Sequence, residues 1–135
     1  MRKYLGWEPI VGYFCFMIGA LLFNLGCVMG YFSGSVTKAE TTWITWFSQV
    51  LGSILFTVGG GIECYHNEIW HFKCMNLAHW VSLINFIGGA LFLMAATCGM
   101  IGMSEELGIW LIDLPYTIGS GMFLIGSFFL MILWK

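Results

Sequence analysis

This sequence predicts an all-α membrane protein: four transmembrane helices built as two helical hairpins repeated in parallel, packed as a glycine-faced bundle. Three observations carry that reading. Only 9% of the residues are charged, while 59% are hydrophobic and 18% aromatic; a soluble domain has about 25% charged residues. The charges leave four long apolar gaps. A glycine-spaced pattern occurs twice, 67 residues apart, as Gly52-Ser53-Ile54-Leu55-Phe56-Thr57-Val58-Gly59 and Gly119-Ser120-Gly121-Met122-Phe123-Leu124-Ile125-Gly126.

No Asp, Glu, Lys or Arg occurs from Pro9 to Thr37, Thr41 to Ile62, Cys74 to Ser104, or Leu114 to Trp134. Each gap exceeds the roughly 20 residues that cross a bilayer core. The spans fall at about 9–32, 43–65, 77–102 and 110–134. Residues 1–135 form one domain, with hairpin repeats at 9–65 and 77–134. The first apolar run is too long for a signal-peptide core. All seven tryptophans lie near predicted helix ends, as an aromatic belt requires.

In the first helix Gly12, Gly19 and Gly26 recur every seven residues and share a face. The step returns as Gly52/Gly59 in the second helix, Gly88/Ala95/Gly102 in the third and Gly119/Gly126 in the fourth. Small residues along one face let membrane helices pack closely. Residues 33–42 are a polar turn, with Thr41 or Thr42 a suitable N-cap for the second helix. Gly59-Gly60-Gly61 marks a kink or a close helix crossing. Thr57-Val58-Gly59 lies inside a spanning segment, which argues against a potassium-filter loop. Asp113-Leu114-Pro115 reads as the capped, proline-initiated start of the fourth helix.

Among the five basic residues, Arg2, Lys3, Lys73 and Lys135 fall on one side of a four-span chain, and Lys38 on the other. The positive-inside rule then puts both termini on the cytoplasmic, stromal or matrix side.

The hairpins also match each other in Gly19-Ala20-Leu21-Leu22-Phe23 and Gly88-Gly89-Ala90-Leu91-Phe92, which makes the repeats parallel about an axis along the membrane normal. A hairpin carrying Asn85, Gly88 to Phe92, Trp110 or Tyr116, then Gly119, Ser120, Phe123, Gly126 and Ser127 resembles the YrhK-like domain. The first hairpin is similar through Gly19, Phe23, Trp46, Gly52, Ser53, Phe56 and Gly59. The resemblance covers nearly the whole chain as two copies, and implies the fold but no activity. The basic, proline-containing tail associated with that domain has no counterpart here.

Candidate polar sites are few. Asn24 and Gln49 lie at similar depth on consecutive helices, and a hydrogen bond between them is expected. Asn85 stands alone in the other half, within reach of Ser53, Thr57 or a backbone carbonyl. Glu63 reads as an interfacial residue. No acid or base lies deep in a span, which weighs against a pump or an ion-coupled transporter. Cys64, His66, His71 and Cys74 offer nitrogen and sulfur ligands for a metal, at a spacing that matches no known zinc pattern; alternatively Cys64 and Cys74 form a disulfide. His79 is the best axial ligand for a tetrapyrrole, although most of the 24 aromatics are accounted for by the interfaces.

Nothing resembles a nucleophile elbow, a paired carboxylate in a span or a phosphate loop. The expectation is a non-catalytic structural or accessory subunit that packs against other integral membrane subunits or itself. It has lipids as neighbours, no nucleic acid partner and no required cofactor. A homo-oligomeric channel or small-solute carrier, with Asn24, Gln49 and Asn85 along its path, is the alternative. A metal- or tetrapyrrole-binding subunit is the third.

Overall fold

The computed structural model describes residues 7–32, 38–68 and 76–133, and among these every regular element is helical. Helix α1 spans Trp7–Tyr31, α2 Phe47–His66, α3 Leu77–Ile101 and α4 Leu114–Leu133. With the turns that lead into α2 and α4, all four are long and apolar enough to cross a membrane.

The duplication extends to the backbone. Helices α1 and α3 each have 25 residues, and α2 and α4 each have 20. A four-residue helical turn precedes each of the latter, Lys38–Thr41 and Glu105–Gly108. A five-residue π-helical turn then follows, Thr42–Trp46 and Ile109–Asp113. The two short turns and the helix behind them recur 67 residues apart, the spacing of the Gly-Ser motifs. A π turn accommodates an additional residue, so it rotates the preceding segment by about 100° against the glycine face behind it.

The two π turns correct the expected starts of both helices. Helical structure begins at Lys38 rather than after a Thr41 or Thr42 cap. Asp113 lies within continuous helix rather than at its start, and the N-cap position is Ser104. Pro115 cannot be the common cause, because Ser48 holds the equivalent place behind the first π turn.

Glycines sit where the backbones meet. A Cβ on Gly52 would come 2.7 Å from the Gly19 oxygen and 3.0 Å from the Phe23 nitrogen; one on Gly19 would come 2.9 Å from the Gly52 oxygen. On the equivalent seam a Cβ on Gly88 would come 3.3 Å from the Gly119 oxygen, and one on Gly119 3.1 Å from that of Gly88. Gly12 and Gly59 meet at one end of the α1–α2 seam, and Gly26 meets Thr45 and Gln49 at the other.

Four residues after Gly19, Gly52, Gly88 and Gly119 comes a phenylalanine: Phe23, Phe56, Phe92 and Phe123. Residues four apart share a helix face, so each glycine admits a neighbouring helix and each ring fills the space beside it. Equivalent rings meet in pairs, as a pseudo-twofold axis requires. Phe23 stacks on Phe92 with centroids 5.1 Å apart, and Phe56 lies 5.2 Å from Phe123. Phe16 and Tyr116 extend the cluster. Of these six aromatics Phe92 is buried and the other five are half-buried, so they pack within the bundle rather than at its ends. Trp43 and Trp110, at equivalent positions, are both exposed at the helix ends, whereas Trp46 turns inward against Gly99.

Gln49 and Tyr116 are equivalent positions as well, and they bond to each other: the Tyr116 hydroxyl donates to Gln49 Oε1 at 3.0 Å. Tyr116→Phe is expected to destabilise the bundle by about 0.6 kcal/mol, typical of hydrogen bonds between membrane helices. Unfolding in mixed micelles measures it, and no change would mean the bond contributes nothing.

Candidate functional site

The pseudo-symmetry fails at one place. Helix α2 packs tightly on α3, but the equivalent pair, α4 and α1, makes no comparable backbone approach. The residues at the two seams differ. On the close seam, a Cβ on Gly60 would lie 2.7 Å from Phe86 Cα, and one on Gly89 2.9 Å from the Thr57 nitrogen. The equivalent positions on the other seam hold Ser127 and Ala20. Both line the cleft that results.

The cleft consists of two adjoining cavities of about 350 and 210 Å³ that share Tyr13, Glu63 and Leu130. The first runs past Phe16, Phe56 and Phe123 toward the middle of the bundle. The second reaches Pro9, His66, Asn67 and Leu133 at the helix ends. Its walls are mostly apolar. Its one acidic side chain among the described residues is Glu63, in the last turn of α2.

Glu63 is held by Asn85, whose Nδ2 donates to Glu63 Oε2 at 3.3 Å. Asn85 is itself buried, and its Oδ1 rests against Gly126. A short polar track continues toward the helix ends. Asn67 Nδ2 donates to Ser82 Oγ at 2.7 Å, Ser82 Oγ to the Ala78 oxygen at 3.0 Å, and Cys64 Sγ to the Ser82 oxygen at 3.4 Å. Ser82, Asn85 and Gly89 share one face of α3, and Gly60, Cys64 and Asn67 one face of α2. That spacing is the signal in the sequence that could have located this seam.

Several expectations change. Asn24 does not reach Gln49: it is exposed, and its Nδ2 donates to the Ala20 oxygen of its own helix at 2.8 Å. Gln49 turns to the axis, taking the Tyr116 hydroxyl and donating to Cys27 Sγ at 3.5 Å. Asn85 bonds neither Ser53 nor Thr57. Those hydroxyls donate to carbonyls one turn back on their own helix, at 2.7 and 2.9 Å, the ordinary way such residues satisfy themselves in a helix. Within one chain, Asn24, Gln49 and Asn85 therefore do not come together. Glu63, read as interfacial, lies in the last turn of its helix and also lines the cleft.

Of the proposed metal ligands, His71 and Cys74 lie outside the described residues, and so does a Cys64–Cys74 disulfide; Cys64 is a free thiol. Cys64 is buried in the α2–α3 seam, while His66 lines the cleft. Two residues apart on one helix, they do not face each other. Among the described residues no three His, Cys, Asp or Glu side chains come together as a metal site. His79 sits in the first turn of α3 with Nδ1 2.6 Å from Oδ1 of Asn76, the capping residue, so that nitrogen is already partnered.

Fold and cleft together define a multi-pass, four-helix membrane protein with a one-sided, mostly apolar cleft. No family model, curated protein or solved structure matches this chain.

Proposed function

We propose that this is a non-catalytic integral membrane protein, an accessory subunit that packs against other membrane subunits or further copies of itself. The observation that carries the reading is the open α1–α4 side. The glycine faces are occupied by packing within the chain, so the surface left for a neighbour is the outer side of α1 and α4. There Leu21, Leu124 and Met131 are 66%, 73% and 72% exposed. Kinship with the YrhK-like domain, and both termini on the cytoplasmic, stromal or matrix side, belong to the same proposal.

Gentle solubilisation, with the native particle sized and its subunits identified by mass spectrometry, tests it. Stoichiometric foreign subunits or a defined homo-oligomer support the proposal, and a monodisperse monomer overturns it. A small-solute carrier is the second reading. What favours it is the Glu63–Asn85 pair lining a cleft between helices. Metal or tetrapyrrole binding is the third reading; among the described residues no three His, Cys, Asp or Glu side chains come together to favour it.

A further inference from the structure

We infer that the cleft between α1 and α4 is a binding site for a hydrophobic organic cation, with Glu63 as the counter-charge. This does not depend on the accessory-subunit reading.

Three features point to a ligand of that chemistry. First, the cleft has no counterpart on the equivalent seam. The equivalent seam is closed at Gly60 and Gly89, whereas this one, which carries Ser127 and Ala20, is open. Second, a carboxyl group is placed inside it, one turn from the helix end. Among the described residues Glu63 takes one side-chain hydrogen bond, from the neutral amide of Asn85, and forms no ion pair. An acid facing a mostly apolar cleft is costly, and a cation entering the cleft relieves that cost. Third, the remainder of the wall suits the body of such a ligand rather than a bare metal ion. Phe16, Phe56 and Phe123 line it with aromatic rings, a type of group that attracts organic cations. Glu63 and Asn85 alone supply too few oxygen ligands for a calcium- or magnesium-type ion. A cavity of about 350 Å³ lies in the size range of small-molecule sites.

Because the cleft opens between two outer helices, the ligand enters with its apolar body toward the lipid and its charge toward Glu63. One carboxylate matches one positive charge, so the expected ligand is a monocation: a quaternary or protonated amine, or a phosphonium. Any proton held by Glu63 is released to water on binding.

The test uses tetraphenylphosphonium with the purified full chain in uncharged detergent, and measures bound cation by equilibrium dialysis. Saturable binding at one site per chain is expected. Glu63→Gln, which is close to isosteric and can still accept from Asn85, is expected to weaken it at least ~tenfold. Glu68→Gln, in the exposed turn beyond the helix, leaves binding unchanged. Ala20→Phe, which fills the cleft from α1 with Glu63 intact, weakens binding as well. Neutral triphenylphosphine oxide does not compete. Absence of saturable binding to the wild type overturns the inference, as do full affinity in Glu63→Gln and equal competition by the neutral compound.

Discussion

Gly60→Leu and Gly52→Leu are expected to destabilise the bundle by about 3 kcal/mol each, the upper range for overpacking a well-packed interior. The reason is what a new Cβ would strike. At Gly60 it meets the backbone of Phe86 at 2.7 and 2.9 Å, and at Gly52 the Gly19 oxygen at 2.7 Å. Backbone atoms cannot rotate aside as a side-chain tip can, so the helices must separate along the seam. Gly60→Leu pushes hairpin from hairpin, and Gly52→Leu parts α1 from α2. Gly121→Leu is the control: a Cβ there meets nothing within 4 Å, and the change is expected to stay within about 0.5 kcal/mol. Unfolding in mixed micelles compares the three. Equal behaviour of Gly121→Leu and Gly60→Leu would show that the loss comes from adding an apolar side chain to the helix rather than from the seam.

Asn85→Ala is expected to cost about 2 kcal/mol, because it removes the donor to a carboxyl group that stays within the bundle. Glu63→Gln in the Asn85→Ala background is expected to recover part of that loss, since an unpartnered amide is easier to bury than an unpartnered acid. The coupling should reach at least about 0.5 kcal/mol, the level at which contacting residues depart from additivity. Strict additivity in the double-mutant cycle would mean that the two side chains act independently.

Much of this protein is legible in its amino-acid order. Four gaps between charges locate four helices to within a few residues, because hydrocarbon excludes charge and compels the backbone to bond within its own segment. The repeat is visible through Gly-Ser at residues 52 and 119 and Gly-xxx-Phe in each helix. These are local or periodic signals, so they survive without knowledge of which helix faces which.

The polar residues were less legible. Asn24 and Gln49 lie at matching depths, yet one bonds its own helix and the other crosses to Tyr116. Depth is set by position along the chain, but partnership depends on helix rotation. That rotation passes through two π turns whose shared cause is not evident in the residues, since only one precedes a proline. The aromatics show the same limit. Composition cannot tell Trp43, exposed at an interface, from Phe92, buried on the axis.

By itself, then, the sequence determined the number of spans, their parallel duplication and the glycines available for close approach. Only the tertiary structure decided that the two copies pack unequally. Gly60 and Gly89 allow one seam to close to backbone contact, while its counterpart, which carries Ser127 and Ala20, stays open over Glu63. A difference of one Cβ matters only once another backbone lies a few ångströms away, and which backbone that is depends on the packing of all four helices.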